Sequence, residues 1–184
     1  MINNSLKTII LAAGESKRIL SSKPKILHTI GGKTILQHVL DNIEKVVKKK
    51  NINIVINPKL NQLKNEYKKI NFSFQRTPLG TAHAVLSSRK FYSKSNQDIL
   101  IIFADNPFID KKIVENMINL KKKKNSDIVL LAVNTNKKNK YGKIILNDED
   151  KVKKIVEFKD ATIDQKKISL CNSGILLLKS EVLK

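Results

Sequence analysis

Residues 98–105, Asp-Ile-Leu-Ile-Ile-Phe-Ala-Asp (DILIIFAD), form a continuous apolar run that ends in a carboxylate, Asp105. A run of this length without polar alternation is the pattern of a strand buried on both faces, as in a parallel sheet. Working outward, residues 7–13 (KTIILAA) repeat the pattern and run into Gly14. Residues 52–57 (INIVIN) repeat it and are stopped by Pro58. Residues 72–75 and 127–134 (DIVLLAVN) supply two more strands. Helical stretches lie between them. Residues 34–49 place Ile35, Val39, Ile43, Val46 and Val47 on one face. Residues 61–70 read as a short polar helix and 81–92 as another helix. Residues 110–124 read as a helix with Asp110 as N-cap and Ile113, Met117, Ile118 and Leu120 toward the core. This alternation predicts an α/β fold with a doubly wound sheet. After residue 135 the texture changes. Residues 141–146 and 152–158 are β-like runs around an Asn147–Asp150 turn, and 170–178 is one more strand.

The chain has 184 residues and a net charge of +20. That length suits one α/β domain able to bury its own core. Of its 36 basic residues only Arg18, Arg76 and Arg89 are arginine, and asparagine and isoleucine are abundant. Lys, Asn and Ile are what AT-rich codons favour, so the charge has a compositional explanation with no nucleic acid in it. Nucleic-acid readers also lean on arginine and aromatic platforms, and this chain has 5% aromatics and no Trp. The lysine runs at 48–50 and 121–124 read as solvated helix C-termini. One cysteine, Cys171, cannot make an internal disulfide and reads as a small core residue. No apolar run approaches the ~20 residues of a membrane span. The expectation is a cytoplasmic soluble protein with neither membrane nor nucleic acid as partner.

Ligands of open α/β sheets bind beyond the carboxyl ends of the strands. Three segments bear on this. After the first strand comes Leu11-Ala12-Ala13-Gly14, with Arg18 and Lys25 downstream. Small residues allow backbone N–H groups to approach a phosphate or base, and the cations would neutralise phosphates. A tight βα turn with two exposed cations fits the same residues. Gly31-Gly32-Lys33-Thr34 imitates a P-loop but fails, because position 27 is Leu27 where that motif needs glycine. It reads as a turn opening the helix at Thr34. Asp105, at a strand end, could hold Mg²⁺ between phosphates, or cap the turn before Pro107. His28, His38 and His83 lack metal-ligand spacing. There is no G-x-S-x-G elbow.

Taken in order, these segments resemble the sugar-1-phosphate nucleotidyltransferases. Within them they are most similar to the N-terminal uridylyltransferase domain of the bifunctional N-acetylglucosamine-1-phosphate uridyltransferase/glucosamine-1-phosphate acetyltransferases. The family's L-A-A-G-x-G-T-R-M-x-S-x-x-P-K-x-L-H reads LAAGESKRILSSKPKILH at 11–28, followed by GGKTILQHVLDNI at 31–43. Further elements match QRTPLGTAHA at 75–84, ADNPFI at 104–109, YGKI at 141–144, VEFKDA at 156–161 and NSGI at 172–175.

The resemblance implies a Rossmann-like doubly wound mixed sheet of the nucleotide-diphospho-sugar transferase (GT-A-like) type. It implies a nucleotide-binding part at about 1–135 and a sugar-binding part at about 136–184. The implied reaction makes UDP-N-acetylglucosamine and pyrophosphate from UTP and N-acetylglucosamine 1-phosphate, with Mg²⁺, for cell-envelope precursors. Leu11, Ala12, Ala13 and Gly14 would wrap uracil and the first phosphates. Arg18 and Lys25 would bind the triphosphate as catalytic cations. Gln75, Gly80 and Thr81 would recognise uridine. Phe103, Ala104 and Asp105 complete the nucleotide set, with Asp105 as catalytic metal ligand. Gly142, Glu157 and Asn172 would bind the sugar. Ser16, Lys17 and Ala104 depart from the family's glycine, threonine and glycine, and Lys17 adds a cation near the phosphates. The family's second metal ligand, an asparagine, and its trimerising β-helix acetyltransferase domain lie beyond the last residue, so a monomer or weak oligomer is expected. Another sugar phosphate, or a truncated nucleotide-binding fragment with little activity, remains the alternative.

Overall fold

The structure is a computed structural model describing residues 5–14, 21–94, 96–135 and 139–183. It divides into two compact units, one of residues 1–129 with 176–184 and one of residues 130–175.

The first unit is organised by three strands that the apolar runs predict: β1 (Leu6–Ala12), β4 (Ile52–Ile56) and β6 (Asp98–Phe103). β1 pairs in parallel with β4 on one side, Thr8 opposite Ile52, and with β6 on the other, Leu6 opposite Asp98. Every residue of β4 is buried, and so are the inner four of β6. This two-sided burial is why these runs carry no polar alternation. β5 (Asn71–Phe74) extends the sheet in parallel beyond β4. Residues 176–179 of β10 (Leu170–Lys179) pair antiparallel with β6. The order β5-β4-β1-β6-β10 gives a mostly parallel mixed sheet. The chain winds outward from β1 through β4 and β5, then returns to β6 on the opposite side. The carboxyl ends of β1 and β6 therefore flank the switch point where open sheets bind ligands.

The short ladder β2 (Thr29–Ile30) and β3 (Lys33–Thr34) closes over Gly31 and Gly32, at φ 56° and 80°. Two positive φ values in a two-residue hairpin loop define a type I′ turn and explain the glycine pair. Thr34 then caps α1 (Ile35–Ile43), its hydroxyl accepting from Gln37 N at 3.1 Å. The helix expected over 34–49 stops at Ile43. Beyond it Lys45 N and Val46 N bond three residues back, so the turn tightens while Val46 and Val47 stay buried. The lysines at 48–50 thus lead through a separate 3-10 turn at Lys49–Asn51, not a helix C-terminus. The buried positions of α1 are Leu36, Val39, Leu40 and Ile43, with Ile35 only half-buried.

The helix expected over 61–70 is one turn, α2 (Leu63–Glu66). That over 81–92 splits at Ser88, whose N and Oγ both donate to Val85 O, into α3 (Thr81–Ser87) and α4 (Arg89–Tyr92). α5 (Lys111–Lys123) begins as expected, with Asp110 Oδ1 accepting from Ile113 N at 2.9 Å. Its buried stripe is Val114, Met117, Ile118 and Lys121, and Leu120 is exposed. Lys121 is therefore not a solvated helix end. Its stem continues the apolar stripe and its ammonium meets Asp98 at 3.0 Å. Asp98→Ala leaves that buried cation without its carboxylate. It is expected to lower the unfolding free energy by about 1–3 kcal/mol. The urea midpoint checks this, and an unchanged value would assign the stability to the lysine stem alone.

The second unit contains β7 (Ile128–Asn134) from residue 130 onward, β8 (Lys143–Leu146), β9 (Val152–Val156), the single turn α6 (Ile163–Lys166) and the first half of β10. β8 and β9 form the expected antiparallel hairpin, with Asp150 at φ 56° in its turn. β8 also pairs with β10 at Cys171 opposite Lys143. Cys171 is fully buried.

Candidate active site

The carboxyl end of β1 narrows to Leu11, Ala12 and Ala13, all buried, before Gly14. Small side chains let the backbone itself form a wall. A Cβ built on Gly14 would meet no atom within 4 Å, so this glycine faces open space. Ala104 N donates to Leu11 O at 2.9 Å, tying the segment after β6 to the end of β1. This bond holds Asp105 beside the β1 loop.

Lys25 opens a 3-10 turn, Lys25–Leu27, anchored by buried Ile26. Its ammonium reaches Asp105 Oδ2 at 2.8 Å, and both side chains are about two-fifths exposed, 39% and 42%. Asp105 thus serves neither as a cap nor as an isolated carboxylate. It is a solvent-reachable anion held against a cation eighty residues away in sequence.

Gln75 follows β5. Its backbone N donates to Ile56 O at 3.0 Å, and the residue is 6% exposed. Its side-chain Nε2 donates to Gly80 O at 3.0 Å and lies 3.2 Å from His83 Nδ1. Gly80 stands at φ 95°, a conformation that favours glycine, and turns the chain into α3 at Thr81.

These groups line one cavity of about 300 Å³ in the first unit. Leu11, Ala12, Ala13, Gly14, Lys25, Gln75, Gly80, Thr81, Phe103 and Asp105 all face it. Ala104 does not. It is packed away at 1% exposure and contributes its backbone tie. Ile26, Pro78 and Ala84 also line the cavity, and nothing in the sequence singles them out. Nor does it single out His83 as a partner of Gln75, although His83 sits inside the quoted 75–84 element. Arg18, Ser16 and Lys17 lie outside the described residues.

The three residues matched to the sugar side come together in the second unit. Asn172 N donates to Gly142 O at 2.8 Å, and a Cβ on Gly142 would lie 3.5 Å from Glu157 Oε1. Asn172 Oδ1 accepts from Gly174 N at 2.8 Å. Beneath them Lys143 is 2% exposed, its ammonium donating to Ile168 O at 3.0 Å and reaching Asn139 Oδ1 and Cys171 Sγ, each at 3.3 Å.

Among the described residues no group of three or more His, Cys, Asp and Glu could hold a metal. His28 Nε2 contacts Lys23 O and His38 Nε2 contacts Ile30 O, so both are engaged locally. A lone carboxylate suits a hard cation that keeps water or substrate oxygens as its remaining ligands, as Mg²⁺ does. Asp105 fits that role and a transition-metal cluster does not. No described helix is long and apolar enough to cross a membrane.

A family model described as "Nucleotidyl transferase" matches residues 7–184. The chain is 40% identical over 186 aligned positions to the "Bifunctional protein GlmU" of Buchnera aphidicola subsp. Baizongia pistaciae, covering 100% of this chain and 40% of that protein. It is 39% identical to the protein of the same name from Thermodesulfovibrio yellowstonii, covering 96% of this chain and 39% of that one. The chain thus spans about two-fifths of the length of these curated relatives. Among solved structures, the mannose-1-phosphate geranyltransferase of Thermus thermophilus superposes with a TM-score of 0.77 over 97% of this chain and 58% of that one. At 16% identity that likeness concerns the fold.

Proposed function

The chain belongs to the nucleotidyl transferase family, and from that premise we propose that it transfers uridylyl from UTP to N-acetylglucosamine 1-phosphate. The products are UDP-N-acetylglucosamine and pyrophosphate. The observation that carries this reading is the cavity shared by the β1 loop, Gln75, Lys25 and Asp105. These are a backbone wall, a base-edge amide, a cation and a carboxylate at the sheet's switch point.

Transfer needs a phosphate oxygen of the sugar phosphate to attack the α-phosphorus in line. One P–O bond forms there as the α–β bridging P–O bond breaks and pyrophosphate departs with the electron pair. No side-chain nucleophile is required. What this chain supplies is placement and charge. The Ala12–Gly14 backbone would let the nucleotide lie close to the strand ends. Lys25 would donate to phosphate oxygens, and Gln75 with the Gly80 backbone would hold the base. Glu157 and Asn172 would bind sugar hydroxyl and acetamido groups. Asp105 would hold Mg²⁺, which when bound supplies charge neutralisation between phosphate oxygens. Arg18 joins this set by resemblance.

The test is pyrophosphate release with UTP, CTP, GTP and dTTP against a panel of hexose and N-acetylhexosamine 1-phosphates. The expected result is Mg²⁺-dependent release, greatest for UTP with N-acetylglucosamine 1-phosphate. Release only with another sugar phosphate would redirect the substrate assignment. None with any pair would remove the activity from this chain.

A further inference from the structure

We propose that His83 is a positioning residue that fixes which end of the Gln75 amide meets the nucleobase; this rests on the nucleotide reading above. A glutamine amide has a donor end and an acceptor end of nearly the same shape, so its orientation is set by its partners. Here the partner is unambiguous. Nε2 lies 3.0 Å from the carbonyl of Gly80, which can only accept. The same nitrogen lies 3.2 Å from His83 Nδ1. A hydrogen bond from the amide NH₂ to Nδ1 needs a lone pair on that nitrogen, so the proposal requires the tautomer that carries its proton on Nε2.

Both hydrogens of the Gln75 amide nitrogen are thereby committed, one to a backbone carbonyl and one to an imidazole. Oε1 has no hydrogen-bond partner among the described residues, and Gln75 lines the cavity. The site therefore presents an acceptor. Such an acceptor suits a base with an imino N–H, as uracil and thymine have at ring position 3, and opposes the ring lone pair that cytosine has there. With Gly80 O alone, the amide loses one of its two restraints and can turn its donor end to the base. His83 is placed for this by α3, two residues after the Gly80–Thr81 turn, so one short element carries both restraints.

The test compares wild type with His83→Phe and His83→Asn. Phenylalanine keeps a ring and removes the acceptor, while asparagine keeps an acceptor near the Nδ1 position and removes the ring. Steady-state kinetics with UTP and CTP, and calorimetric titration with UDP and CDP, give the discrimination ratio. His83→Phe is expected to lower the preference for uridine by about five- to tenfold, in KM and not in kcat, because the base is remote from the reacting atoms. His83→Asn should restore most of it, which a packing role would not allow. An unchanged ratio in His83→Phe, or equal losses in both variants, overturns the proposal while leaving the nucleotide reading intact. A wild type that binds no nucleotide overturns both. In the free wild-type protein, long-range ¹H–¹⁵N spectra should place the ring proton on His83 Nε2. A proton on Nδ1 overturns the proposal whatever the variants do.

Discussion

Asp105→Ala is expected to reduce pyrophosphate release by about a thousandfold, the several kcal/mol by which a metal-holding carboxylate favours phosphoryl chemistry. The fold should survive. Asp105 pairs with Lys25 through side chains that are both substantially exposed. Exposed pairs contribute about 0–1 kcal/mol to stability. Thermal unfolding followed by circular dichroism should therefore overlay the wild type while turnover collapses. A rate within tenfold of wild type would take Asp105 out of the catalytic set.

Lys25→Met should lower kcat by about a hundredfold, the usual cost of removing one preorganised donor to developing phosphate charge. Methionine keeps the length of the stem and deletes only the charge. Because Lys25 and Asp105 are in contact at 2.8 Å, the two effects should not add. The double variant is expected to lose clearly less than the product of the single losses. Strict additivity would show that the contact is incidental to turnover. Lys25→Arg should recover only part of the rate, since a planar guanidinium does not substitute for a compact ammonium.

The parts of the fold governed by local pattern are legible in the sequence. β1, β4 and β6 announce themselves because burial on both faces leaves them mostly apolar, with no strict alternation of polar residues. Asp110 announces α5 because capping chemistry is local. What escapes is decided by partners remote in sequence. By spacing, Leu120 reads as core and Lys121 as surface. The stripe through Val114 and Ile118 nonetheless falls on position 121, and Asp98 across the fold makes burial of an ammonium tolerable. The tail of α1 keeps its apolar spacing while its hydrogen bonds tighten, a difference that spacing cannot register.

For the site, residue types at strand ends point to Asp105 and the β1 loop. The Gln75–Gly80–His83 network does not show itself, because hydrogen-bond direction is set by three-dimensional approach. The Lys25–Asp105 pair, joining positions far apart in sequence, is invisible for the same reason. Gly142, Glu157 and Asn172 emerge through resemblance, and their proximity in the second unit is not derivable from their spacing.

The antiparallel closure of β6 by residues 176–179 has a consequence for synthesis. Ile101 must wait for Leu176, more than seventy positions later in the chain, before its outer backbone groups find a partner. Until then a nascent chain carries residues 98–101 as an unpaired strand edge, three of the four apolar, ready to template on a neighbour. Ribosomal pausing after residue 103, or truncation before residue 176, should therefore promote aggregation more than loss of any single active-site side chain. Residues 176–179 of β10 act in this respect as a built-in guard against misassembly.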